Sequence, residues 1–139
     1  MRGERLFNQI KFFFVNNSYK RADFLREKGI FAKVGENVSF QPRKIPLYGQ
    51  LIKIGNNVVI GSDVRFLTHD GFYSVCNRAN PKKHINEKVG CIKIGNNCFL
   101  GANSTIMCDV NIGDDVVIAA SAVVTKDIPS GEIWGGSTC

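Results

Sequence analysis

Ile92-Lys93-Ile94-Gly95-Asn96-Asn97-Cys98-Phe99-Leu100-Gly101-Ala102-Asn103-Ser104-Thr105-Ile106 is the stretch that decides the fold. Its aliphatic residues Ile94, Leu100 and Ile106 stand six residues apart, and Ile112, Ile118 and Val124 continue the step without a slip. The residue that follows is usually small, as at Gly95, Gly101, Gly113 and Ala119. Four residues after each aliphatic one a second compact side chain recurs: Cys98, Ser104, Val110, Val116, Ala122. A helix repeats its apolar face about every 3.6 residues and a lone strand every second residue. A fixed six-residue period marks a parallel β-helix, in which each short strand is one side of a coil and the aliphatic residue points inward. Asn96-Asn97 and Asp114-Asp115 follow the glycines. Gly, Asn and Asp tolerate the left-handed backbone that turning a corner demands.

Toward the N-terminus, Ile54, Ile60 and Phe66 keep the same step, and Val34 and Phe40 begin it less cleanly. The hexapeptide Ile-Lys-Ile-Gly-Asn-Asn occurs at 52–57 and again at 92–97, an offset of 40 residues. That offset equals 18 + 22, and the pattern-free segment 70–91 is itself 22 residues long. A loop therefore leaves the coil near His69 and returns near Ile92. Long loops on periodic scaffolds tend to carry function. The expected organisation is a single structural domain. It has a helical cap over 1–33, a ladder of about four coils over 34–129 carrying the loop 70–91, and a C-terminal tail over 130–139. In the cap, Leu6, Ile10, Phe13 and Phe14 form one face of a helix. A second short helix runs from about Tyr19 to Lys28 and stops at Gly29. Both are expected to close the open N-terminal end of the coils, and partner subunits to complete so thin a core.

The 139 residues suit one domain, and the 44% hydrophobic fraction is ordinary for a globular chain. The apolar run Phe12-Phe13-Phe14-Val15 is far too short to cross a bilayer. Lys11 interrupts the one stretch that resembles a signal peptide, so the expected location is the cytoplasm. Five cysteines without a C-x-x-C motif read as reduced thiols. The net charge is +6, and up to Lys33 eight basic residues face three acidic ones, a local +5. Such a segment suits an anionic membrane surface, nucleic acid or a phosphorylated ligand, or it is a solvated helical face. No nucleic-acid-binding motif is present, and peripheral membrane contact through this basic segment stays open beside the other readings.

His69 lies in Phe66-Leu67-Thr68-His69-Asp70, at the mouth of the insertion. Imidazole titrates near neutrality and can take a proton from an attacking hydroxyl. Position alone leaves His69 open between a catalytic base and a loop histidine with no role. Asp70 is a candidate to orient the imidazole, although adjacent side chains often point apart. His84, beside Lys82 and Lys83, reads as a solvated loop residue. Coils stack at about 4.8 Å, so residues 18 apart align. Ala102 and Ala120 then share one edge, where small side chains leave a shallow trough that suits a slender ligand. The alternative is that the corners simply require small residues.

The ladder from Val34 to Cys139, the loop at His69 and the segment Thr125-Lys126-Asp127-Ile128-Pro129 together resemble the hexapeptide-repeat acyltransferases. They look most like the O-acetyltransferases that decorate capsular or other surface polysaccharides. The resemblance implies a left-handed parallel β-helix with three hexapeptides, 18 residues, to a coil, against the usual right-handed crossover rule, and a homotrimer. It implies acetyl-CoA as cosubstrate without a metal, and His69 as general base. Acetyl then passes directly to a sugar hydroxyl through a tetrahedral intermediate, whose oxyanion backbone N–H groups can stabilise. The family's coenzyme contacts carry over to Ala102, Ala120, Thr125 and Lys126, with Lys126 toward the phosphates. Acetyltransferases acting on serine, maltose, galactosides, amino sugars and antibiotics share the scaffold, so the acceptor stays open; its choice is expected in the 70–91 loop and the N-terminal region. A non-catalytic β-helix used for assembly is the second class. A zinc hydratase needs three histidines, and the chain has two. The family's closing G-[NV]-P-[AC]-[KR] reads here Gly135-Gly136-Ser137-Thr138-Cys139, with Thr138 in the proline position, so weaker coenzyme binding is expected. Trp134 is read as packing on the last coil or meeting the adenine.

Overall fold

The computed structural model describes residues 2–138; Cys139, one of the expected reduced thiols, lies outside them. Two helices come first, α1 (Arg2–Phe13) and α2 (Ser18–Glu27). Short strands then follow, three to a coil in the middle of the stack and two at either end. The first coil supplies β1 (Lys33–Val34) and β2 (Val38–Phe40), and the second β3 (Ile52–Ile54), β4 (Val58–Ile60) and β5 (Arg65–Leu67). After the insertion, with its helix α3 (Phe72–Ala79), come β6 (Ile92–Ile94), β7 (Cys98–Leu100) and β8 (Thr105–Met107). The next coil holds β9 (Asn111–Ile112), β10 (Val117–Ile118) and β11 (Val123–Val124), and the chain closes with β12 (Ile133–Trp134) and β13 (Ser137–Thr138).

The strands stack into three parallel sheets, β1-β3-β6-β9, β2-β4-β7-β10-β12 and β5-β8-β11-β13. These are the three sides of a parallel β-helix. Ile54 pairs with Ile94 and Ile94 with Ile112, so the strands on either side of the insertion are direct neighbours, as the repeat offset requires. The first coil is two residues longer than the regular 18-residue coil that joins Ile94 to Ile112, because Val34 pairs with Ile54. The residues expected as a tail continue the stack: Ile118 pairs with Trp134 and Val124 with Thr138. Those pairings shorten the last coil to offsets of 16 and 14 residues, which is why the six-residue step fades there.

Both inward series of the ladder are buried, from Ile54, Ile60 and Phe66 to Ile106, Ile118 and Val124, and from Val58 and Cys98 to Val116 and Ala122. Burial pushes the Cys98 thiol above its usual pKa. At the corners Asn57, Asn97 and Asp115 adopt φ of 55°, 56° and 57°, the left-handed conformation foreseen for such residues after the glycines. Their side chains bond from coil to coil, Asn57 Nδ2 donating to Asn97 Oδ1 at 3.0 Å and Asn97 Nδ2 to Asp115 Oδ1 at 3.0 Å. Gly95 is needed for close approach, since a Cβ there would stand 2.5 Å from the Gly113 carbonyl oxygen.

The N-terminal end is plugged by aromatic rings. Phe40 stacks on Phe66 at 6.2 Å and meets Phe31 and Phe12 edge-on at 5.7 and 5.9 Å. Helix α2 lies over β1 and β2, held by Ala22 and Leu25 in the core. Its buried Arg21 donates to the carbonyls of Phe40, Gln41 and Val15, and Arg26 to those of Val34 and Gly35. These two cations satisfy carbonyl groups at the first coil, where no earlier strand is available. Burial, with Arg43 nearby, lowers the Arg21 pKa from its usual value. The helical face Leu6, Ile10, Phe13 and Phe14 does not join the plug, a correction to the sequence reading. All four are exposed, and Phe12 takes the core position instead. The plug is already filled by Phe31, Phe40 and Leu25, leaving room for one α1 side chain.

Candidate active site

His69 stands at the corner between the third and first sides, where the second coil breaks. Its strand β5 alternates outward Arg65, inward Phe66, outward Leu67 and inward Thr68. Thr68 is fully buried and its Oγ1 donates to the Leu47 carbonyl at 2.6 Å. The insertion is pinched shut at its base: His69 pairs antiparallel with Val89, and Gly90 N donates to Thr68 O at 2.9 Å. Within it Asn77 exchanges hydrogen bonds with both backbone groups of Ile85, at 2.9 and 2.8 Å. The sequence reading foresaw the excursion but not α3 inside it, whose eight residues are too few for a clear helical period.

Tyr48 presses edge-on against the His69 ring, centroids 5.5 Å apart and planes at 85°. Its hydroxyl lies 3.3 Å from Glu87 Oε2 of the insertion, and the negative charge of Glu87 raises the Tyr48 pKa. Tyr48 itself has φ 51° and ψ 46°, left-handed for a bulky residue. Sequence reasoning missed it, because nothing in the residue type announces that conformation. His69 Nδ1 is buried without a hydrogen-bond partner. Asp70 does not hold Nδ1. Its Oδ1 accepts from Phe72 N at 3.1 Å, at the start of α3.

A cleft of about 440 Å³ opens on the third side, where the first coil contributes no strand beneath β5. Segment 42–46 forms one wall, and Asp63, Arg65, Leu67 and Asn103 contribute to the other. Leu67 brings the cleft within two residues of His69, which itself is outside the lining. Of its three cations, Arg43 is engaged with the Phe13 carbonyl at 2.7 Å. Among the described residues no group of three His, Cys, Asp or Glu could hold a metal ion.

The expected coenzyme residues fall on two edges of the prism. Ala102 and Ala120 lie at corners between the second and third sides, aligned across adjacent coils and exposed. Thr125 and Lys126 lie at the next corner round, between the third and first sides, the same edge as His69. The glycine before Ala102 is needed by the stacking, since a Cβ on Gly101 would meet Ala120 N at 2.4 Å. Lys126 Nζ lies over the Trp134 ring, 5.5 Å from its centroid. Trp134 packs partly buried on the end of the core and donates from Nε1 to Glu132.

The bacterial transferase hexapeptide (six repeats) family matches residues 91–126. Galactoside O-acetyltransferase of Escherichia coli (strain K12) is 31% identical over an alignment covering 100% of this chain and 75% of the relative. The chain belongs to the hexapeptide-repeat acyltransferases. Another relative, YvoF of Bacillus subtilis (strain 168), is 33% identical over 76% of the chain, which spans only 56% of that protein. Among solved hexapeptide-repeat structures, a galactoside acetyltransferase in complex with coenzyme A superposes with a TM-score of 0.64 at 25% identity, covering 97% of this chain and 77% of the other.

Proposed function

We propose that the protein is an acetyl-CoA-dependent O-acetyltransferase that acts on a sugar hydroxyl in surface polysaccharide biosynthesis, with His69 as general base. The observation that carries the reading is the position of His69 at the one break in the ladder, its ring steadied by Tyr48 and its Nδ1 turned inward. The acceptor hydroxyl gives its proton to Nε2 as its oxygen bonds to the thioester carbon. The tetrahedral intermediate then collapses, the C–S bond breaks, and the coenzyme sulfur takes the proton back from the imidazolium. The names of the galactoside relatives support a sugar acceptor. The cleft beside Leu67 is the space for it.

Ala102, Ala120, Thr125 and Lys126 are proposed to hold the coenzyme. In one chain they occupy two edges separated by the whole third side, on the order of 15 Å for a strand of this length with its corners. A homotrimer resolves this: the alanine edge of one subunit meets the histidine edge of the next. The reading places the enzyme in the cytoplasm, where acetyl-CoA is available. Thiol release from acetyl-CoA, followed across a panel of sugars beside serine, tests it. Sugar-dependent release supports the reading, and release with serine alone redirects it to a small-molecule acceptor. Absence of acetyl-CoA binding overturns it. Light scattering should give three times the 15.4 kDa chain mass; a stable monomer contradicts the shared site.

A further inference from the structure

Helix α1 carries its apolar stripe on the side facing away from the protein body. Leu6, Phe7, Ile10 and Phe13, with Phe14 just beyond the helix, are each at least 50% exposed. At about 100° per residue these five occupy an arc of about 120°. The opposite side faces inward through Phe12, which is fully buried. Gln9 fixes that orientation, donating from Nε2 to Arg43 O at 2.9 Å and accepting at Oε1 from Ile45 N at 2.8 Å. Single exposed apolar side chains are ordinary; a contiguous patch of five marks an interaction surface.

The charges around the patch choose the partner. On the helical projection Arg2 and Lys11 fall on its two borders. Lys11 Nζ sits 4.3 Å from the centroid of the Phe7 ring. Neither cation forms an ion pair among the described residues. A second copy of this chain would bring a net charge of +6 toward them. An apolar stripe bordered by unpaired cations suits the plane of an anionic bilayer surface instead: the rings enter the acyl boundary and the cations meet headgroup anions. We propose that α1 docks the protein on membranes rich in anionic lipid.

The test is co-sedimentation of the full chain with vesicles of phosphatidylcholine containing about one-third phosphatidylglycerol, beside phosphatidylcholine alone. Partitioning should be about tenfold stronger onto the anionic vesicles, and weaker as salt is raised. The double variant Ile10→Ser/Phe14→Ser should lose about tenfold, and Arg2→Gln/Lys11→Gln should lose most of the salt dependence. Both variants should keep the wild-type circular dichroism and assembly mass. They should also keep wild-type acetyl-CoA turnover without vesicles, which separates this proposal from the catalytic one. Equal partitioning onto neutral and anionic vesicles, or none onto either, would overturn it. So would a drop in assembly mass for Ile10→Ser/Phe14→Ser, since a second copy would then be what covers the stripe.

Discussion

The ladder and helix α1 both carry regular apolar patterns, and the fold treats them oppositely. In the ladder, Ile54, Leu100, Ile106 and Ile118 point inward and are fully buried. In α1, Leu6, Ile10, Phe13 and Phe14 are spaced as a core-facing stripe and point into solvent. The difference lies in what each pattern constrains. A six-residue coil defines its own inside, because three sides close around one axis. A helical stripe defines only a direction, and the body decides whether that direction is inward. Here the plug was already filled by Phe31 and Phe40, with Phe12 as the single contribution from α1.

Substitutions can break or sharpen that contrast. Ile106→Ala removes a fully buried side chain from the closed coil, and urea denaturation should show a loss of about 2–5 kcal/mol. A loss below about 1 kcal/mol would mean that the coil collapses around the gap far more readily than its stacked strands imply. Arg21→Met should cost less, about 2–3 kcal/mol, because the carbonyls of Val15, Phe40 and Gln41 lose their donor inside a packed joint. Phe14→Ser should change stability by no more than about 0.5 kcal/mol, measured the same way. A loss as large as that of Ile106→Ala would place Phe14 in a packed interface and erase the distinction between the two regions.

These outcomes also explain how far the sequence could be read. The ladder was legible because its period is the geometry itself. Asn57, Asn97 and Asp115 marked corners because their side chains tolerate positive φ. The 40-residue offset located the insertion, since Ile54 and Ile94 had to be neighbours. The carry-over of Thr125 and Lys126 beside Ala102 and Ala120 did not separate the two pairs, which the fold sets at different corners. Other features left no trace. Tyr48 reaches His69 through a left-handed backbone that a tyrosine does not advertise. Asp70, adjacent to His69, turns to Phe72 N, a choice made by local geometry rather than composition. Arg21 and Arg26 counted as surface charge in the basic segment, whereas the fold uses them against the carbonyls of the first coil.

The central claim is that the break in the ladder holds a catalytic base. It is tested most directly by acetyl-CoA thiol release, with the responsive sugar acceptor, for wild type and His69→Ala side by side. His69 is at a corner outside the buried core, so the variant should fold and keep its affinity for acetyl-CoA. Its kcat should fall by about 10²–10⁴-fold, the range a general base contributes. Wild-type turnover in His69→Ala would contradict the account, and the ladder's break would then hold something other than a base.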